Sequence, residues 1–333
     1  MDKFFSYIGR LTLSELGREA NLYSFITLKG CYIASLKECE AKYVKEKRKL
    51  IIETCKWYRN HLNDVLQNVQ GILKYIRKAL ITNGYRVKVC RIKAISRVVA
   101  GVSESFGKIP FEVGLFFDPI LNVPFIPSST LKGAFRHALL ELIFKNYVKK
   151  GMSKREAEEK AKTVVEHIFG SEKLSSLVGV TDAYPIKPGI SGLLLEPDVI
   201  TPHYSSVKTE LDVKPNPVLF LTIARGIELE FFIYFNKRIH EVSKKFHKAK
   251  LGSISDLKVR EFRDTRDYIA YAIHDGNLED AVKKALTRSK RSEVIRLIPW
   301  VDRAVLYAFA RGIGAKTSIG YSRFEMIEYR TLR

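Results

Sequence analysis

The chain has 333 residues, 46% of them apolar by a count that includes 19 Phe and 16 Tyr. That is enough for one large domain or two ordinary ones, and it excludes a disordered chain. Lys and Arg outnumber Asp and Glu by 57 to 36, a net charge of +21, where solubility asks for only about 2 to 8.

Residues 1–83 read as helical. Leu50, Ile51, Thr54, Trp57, Tyr58, His61, Leu62, Val65, Leu66, Val69, Ile72, Leu73 and Ile76 recur at spacings of three and four, and Asn83-Gly84 closes the run. From Tyr85 the pattern turns β-branched (Val87, Val89, Ile92, Ile95, Val98, Val99), predicting a long strand that ends near Gly101. Gly107 to Pro127 reads as loop with short strands. Helices follow over about Thr130 to Lys149 and Ser153 to Phe169, the second opening on the capping-box pattern Ser153-x-x-Glu156. Beyond Gly170 the strands are Leu177–Val180, Leu193–Leu195, Val218–Ile223 and Ile227–Phe235. Proline-rich joints separate them, and 185–216 is a candidate hairpin or arm. Helices resume from about Lys237 to Ala310, and a glycine-rich loop leads to a last strand, Tyr321–Tyr329. Without the first 83 residues and the insertions, the order is β-α-β-β-α-β, the ferredoxin-like or RRM-like order. The fold class expected is α+β, with a helical N-terminal extension over 1–83 and an RRM-like domain over 84–333.

The basic excess is clustered. Residues 65–103 hold Lys74, Arg77, Lys78, Arg86, Lys88, Arg91, Lys93 and Arg97 and no acid. Two further clusters are Lys237, Arg238, Lys244, Lys245, Lys248, Lys250, and Lys283, Lys284, Arg288, Lys290, Arg291. Such a field attracts polyanions, so nucleic acid is the partner class favoured. The longest strongly apolar stretch, Pro217 to Phe235, contains Arg225, Glu228 and Glu230 and does not suit a transmembrane helix. No secretory pattern opens the chain. Cys31, Cys39, Cys55 and Cys90 form no Cys-x-x-Cys pair, which points to a reducing cytoplasm without a zinc or disulfide framework.

Two segments carry the functional reading. In Pro124-Phe-Ile-Pro-Ser-Ser-Thr-Leu-Lys-Gly-Ala-Phe-Arg136, Pro127 ends an extended stretch and Ser128 or Ser129 is placed to cap a helix. Free amides, Ser129, Lys132 and Arg136 there suit a phosphate, although a capped helix with a solvated lysine fits the same residues. In Arg311-Gly-Ile-Gly-Ala-Lys-Thr-Ser-Ile-Gly-Tyr321, three glycines permit positive φ and close approach to a ligand, and Lys316, Thr317 and Ser318 add donors. It is no Walker loop, because Ala310 and Ala315 occupy both required glycine positions, and Thr317 replaces the third glycine of a dinucleotide fingerprint.

Together these segments resemble the IPGSSLKG-x-x-R element and the C-terminal glycine-rich loop of RAMP proteins. Arg97 through Gly101 ahead of Glu112-Val-Gly114, Val180-Thr-Asp-Ala-Tyr-Pro185, Pro197-Asp-Val-Ile-Thr-Pro-His-Tyr204 and Pro215-Asn-Pro-Val-Leu-Phe-Leu221 narrow the likeness. The set is similar to the sixth-subunit family of type III-B (Cmr) CRISPR effector complexes, over about residues 95–329. Ser128 and Ser322 stand where that family commonly has glycine.

The resemblance implies a non-catalytic RNA-binding subunit that holds guide RNA (crRNA) phosphates near the 3′ end and helps to position target RNA in antiviral defence. Its expected partners are a backbone RAMP subunit, a small helical subunit and a neighbouring capping RAMP subunit, with no membrane, cofactor or metal. The RNA-binding residues it implies are Arg97, Ser129, Lys132, Arg136, His203, Tyr204, Arg311, Gly312, Gly314, Lys316, Thr317 and Gly320. The rival is a RAMP-type endoribonuclease that processes guide precursors with a histidine as acid or base. Sister subunits cut target RNA with an aspartate in the loop before the IPGSSLKG element. That loop here offers Glu112 and Asp118, to which the resemblance assigns no cleaving role.

Overall fold

The computed structural model describes residues 2–149, 151–200, 217–236, 239 and 297–332. Its helical N-terminus is α1 (Asp2–Arg10), α2 (Leu13–Leu16), α3 (Leu22–Ala34) and α4 (Glu40–Thr82). At 43 residues α4 is about 64 Å long. It buries Leu50, Ile51, Thr54, Trp57, Tyr58, Val65, Leu66, Val69 and Leu73, the stripe that the spacing predicts, whereas Ile72 stays 41% exposed. Asn83 caps the helix, and Gly84 turns the chain at φ 73°.

β1 (Arg86–Ala94) then enters a sheet of order β4-β8-β1-β9, every pair antiparallel. The other strands are β4 (Val178–Val180), β8 (Glu228–Phe235) and β9 (Phe324–Thr331). α6 (Ser128–Lys149) and α7 (Lys154–Phe169) connect β1 to β4, and α8 (Leu297–Arg311) precedes β9, which is the ferredoxin-like arrangement. α5 (Lys108–Phe111), β2 (Phe117–Asp118) and β3 (Val123–Pro124) fill the segment before α6. Ser153 caps α7 by accepting the Glu156 N–H, whereas the Glu156 carboxylate pairs with Lys160.

Several elements differ from the pattern in the sequence. β1 stops at Ala94, not near Gly101, because the chain changes partners there. Ile95 donates to Arg323 O, Val98 bridges to Ile223, and Val99 donates to Ser322 Oγ. A strand forms at the Pro185 joint, β5 (Tyr184–Lys187), which shares the edge of β8 with β4. An edge strand tolerates proline because one side of it needs no donor. β6 (Leu195–Ile200) pairs with β7 (Val218–Ile223) as a two-stranded ribbon, so the expected arm begins at β6. Residues 201–216, and most of the helical stretch expected from Lys237, lie outside the described residues.

Side chains alternate across a strand, so burial at both parities shows that both faces of the sheet are covered. On one face Phe231 packs on Phe135 of α6 and Phe309 of α8. Behind the other, Val87, Val89 and Phe232 are at most 2% exposed, and α4 packs against β1, β5 and β8. The hydrophobic core is therefore continuous across residue 84. The β2–β3 hairpin ties the helices down as well. Tyr58 donates to Asn122 O at 2.7 Å, Asn21 to Pro119 O at 2.8 Å, and the Asn122 side chain reaches Ala20 and Leu22.

Candidate nucleic-acid interface

Helix α6 begins at Ser128, and neither serine caps it. The Ser128 N–H donates instead to Asp182 Oδ1 at 2.6 Å. Asp182 sits in the break between β4 and β5, where Thr181 still bonds Phe232 on β8 and Ala183 exchanges two hydrogen bonds with Ile126. A carboxylate thus complements the positive end of the helix. It also takes one of the amides that a phosphate would use.

At 100° per residue, Ser129, Lys132 and Arg136 (i, i+3, i+7) share one stripe of α6, whereas Thr130 and Ala134 share another on the far side. Partial burial holds the Lys132 ammonium below the ordinary lysine range, and the Arg136 charge adds to this. Among the described residues no carboxylate offsets either effect and neither cation has an ion-pair partner, an arrangement that an anion relieves.

The Thr130–Ala134 stripe borders a cavity of about 430 Å³, whose other walls are Ala100, Gly101, Phe116, Gly312, Ile313, Gly314 and Ala315. Residues more than 180 positions apart in the chain meet here. Gly312 (φ 90°) and Gly314 (φ 135°) are required by close packing. A Cβ on the first would lie 2.8 Å from Ser322 O, and on the second 2.7 Å from Val99 O. Lys316 adopts the left-handed conformation at the entry to a short turn that ends at Gly320. Thr317 contributes its carbonyl to Arg323, whose guanidinium also bonds Ala310 O and Arg311 O and staples the loop.

Ser322 is fully buried with φ 58°, a glycine-like conformation. Its hydroxyl offsets the strain, accepting from Val99 N at 3.1 Å and lying within hydrogen-bond distance of Val99 O and Ala315 O.

Two other cations in the predicted set, Arg97 and Arg311, have partners. Arg97 lies 3.4 Å from both Glu196 and Asp198 of the ribbon, and Asp198 also accepts from Tyr321 OH at 2.7 Å. Burial and this bond push the Tyr321 phenol up to about 12. Arg311 pairs with Glu141 of α6 and stacks on Tyr307. In the acid-free stretch 65–103, Lys88 meets Asp302 at 2.6 Å in the interior, and Arg91 meets Glu230 and Glu328 at 2.5 and 3.0 Å. The last trio lies on the sheet face turned toward α4. That face presents ion pairs and covered aromatics, unlike an RRM face, which stacks bases.

The two acids before α6 are both engaged. Asp118 Oδ1 accepts the N–H groups of Ile120 and Leu121, and Oδ2 accepts from Tyr184 OH at 3.0 Å. Glu112 lies 3.4 Å from Lys47. His203, Tyr204 and the two later basic clusters lie outside the described residues. Sequence reasoning marked Ser322 as a serine in place of a glycine, and missed Asp182, Asp198 and Arg323 as residues that shape the site. Their only signal was a place inside or beside the matched segments.

A sequence profile of the RAMP superfamily matches residues 91–325. CRISPR system CMR subunit Cmr6 of Saccharolobus solfataricus is 33% identical over 202 residues. That alignment covers 61% of this chain and 62% of the relative, less than two thirds of its length. A chain in the cryo-EM structure of the type III-B Cmr-beta bound to cognate target RNA is 24% identical. It covers 100% of this chain and 99% of its own length with a TM-score of 0.63, a likeness of fold.

Proposed function

The chain belongs to the RAMP superfamily, and on that premise we infer that it is a non-catalytic, RNA-binding subunit of a type III-B (Cmr) CRISPR ribonucleoprotein. Its work is positional: it holds guide RNA phosphates near the 3′ end and helps to place target RNA, while base pairing supplies sequence recognition. The carrying observation is the convergence of the two distant segments on one cavity, with Lys132 and Arg136, unpaired among the described residues, on the other flank of α6. Backbone RAMP, small helical and capping RAMP subunits are the protein partners in this reading. His203 and Tyr204 remain candidates for RNA contact through their motif.

Against cleavage by the acid ahead of α6 stands the engagement of Asp118, whose two oxygens already accept three hydrogen bonds within the fold. The test is binding of the full chain to single-stranded RNA across sodium chloride concentrations, with native mass spectrometry of the complex from its host. Each phosphate contact adds roughly 0.7 to the log–log salt slope. A slope near zero, or the absence of RNA and Cmr-type subunits from the purified complex, overturns the reading. So does loss of a single cleavage position in an assembled Asp118→Ala, Glu112→Ala or His203→Ala complex.

A further inference from the structure

Charge is segregated at this site. None of the nine residues lining the cavity carries a charge, and its walls are alanine and glycine surfaces, Ile313 and the half-buried ring of Phe116. The cations stand outside it, Lys316 next in the chain to Ala315, and Lys132 and Arg136 on the other flank of α6. A bare phosphate in the cavity would lose its hydration without gaining a counter-charge. A neutral group is the better occupant. The cavity also has donors to spare. Among the described residues, the N–H groups of Gly101 and Gly314 and the Thr130 hydroxyl have no partner. A volume of about 430 Å³ lies in the range of about 300–1,000 Å³ usual for small-ligand sites, which combine apolar walls with a few placed polar groups.

A nucleotide is segregated in the same way, with a flat, neutral, acceptor-bearing base joined to charged phosphates. Resting on the RNA-binding reading above, we propose that the cavity takes up one unstacked nucleobase of the bound strand. The base edge accepts from Gly101 and Gly314, its ring lies against Phe116, and the flanking phosphates meet Lys316 and the Lys132–Arg136 stripe. The site then registers one nucleotide of the strand on the protein instead of gripping phosphates alone.

The experiment compares two oligonucleotides of equal length on the full chain, one a mixed-sequence single-stranded RNA and one with the same ribose-phosphate backbone and no bases. The wild type should prefer the base-bearing strand by roughly tenfold, since stacking a base on an aromatic is worth about 1–3 kcal/mol. Ala134→Phe fills the cavity and should bring that ratio close to one, with the salt slope kept. If it keeps the wild-type ratio, the base lies elsewhere and the proposal falls, while phosphate binding stands. If neither strand shows a salt-dependent affinity, the RNA reading itself fails. Should Ala134→Phe melt well below wild type, Phe116→Leu replaces it and should lower the ratio several-fold. An unchanged ratio there also overturns the proposal.

Discussion

Two sets of basic residues behave in opposite ways. The stretch 65–103 holds eight bases and no acid, yet three of the eight are met by acids brought from far along the chain: Asp302 on Lys88, Glu230 and Glu328 on Arg91, Glu196 and Asp198 on Arg97. Lys132 and Arg136 lie outside the three basic clusters, and among the described residues no carboxylate pairs with either. Local clustering of charge therefore does not locate free charge. In a sheet, the neighbours that decide are those across the ladder, and they are invisible to a window along the chain.

The largest effect expected from this contrast is on stability. Lys88 and Asp302 are at most 1% exposed, and Tyr329 OH also donates to Asp302. Removing one partner strands a buried charge, at about 3–5 kcal/mol. Asp302→Ala should show that loss in chemical denaturation, and replacing both residues with apolar ones should recover much of it. A mild loss in the single mutant would mean that water reaches the pair.

The second effect is on binding. Lys132→Glu with Arg136→Glu should weaken single-stranded RNA binding by one to two decades, at about 1.5–3 kcal/mol for a charge-assisted contact. Melting should stay within a few degrees of wild type, because neither side chain holds the fold. Arg97→Ala should cost far less affinity, since its charge is already met. It should lower stability by about 0.2–1 kcal/mol, as for an exposed pair. If Arg97→Ala costs as much affinity as the double reversal, the paired and unpaired sets are not different in kind.

The order of elements was legible in the sequence because periodicity reports burial directly. The stripe of α4 and the β-branched run of β1 are buried as their spacing predicts. The capping of α6 was not, since Ser128 and Ser129 satisfy every local rule for a cap, and the actual acceptor, Asp182, is 54 positions away. The end of β1 was hidden for the same reason. Val98 and Val99 keep the β pattern, but they pair with β7 and the glycine-rich loop. The cover over the sheet was half legible. The wide stripe of α4 announced a buried partner, and tertiary packing alone identifies that partner as the face an RRM leaves open. A fragment beginning at residue 84 should therefore expose Val87, Val89 and Phe232 and be insoluble when expressed alone. A soluble, folded 84–332 fragment would show that the sheet tolerates an open face.

The smallest effect concerns protonation, and it separates Lys132 from every cation whose charge is already met. Partial burial, and then Arg136, hold the Lys132 ammonium below the ordinary lysine range in the free protein. A phosphate beside it favours the charged form, so its pKa is higher in the complex than in the free chain. Between those two values binding takes up a proton, and affinity must fall as pH rises. The fall begins below the range in which ordinary lysines titrate. It is limited to one contact, about 0.7 in the salt slope. Arginine keeps its charge throughout that range, so Lys132→Arg should flatten the alkaline limb of a plot of affinity against pH. Titrating RNA binding of the two proteins side by side, at fixed ionic strength, reads the difference directly. An alkaline limb of equal slope in both would place the strand away from this stripe of α6, and the unpaired cations would then have no anion to explain them.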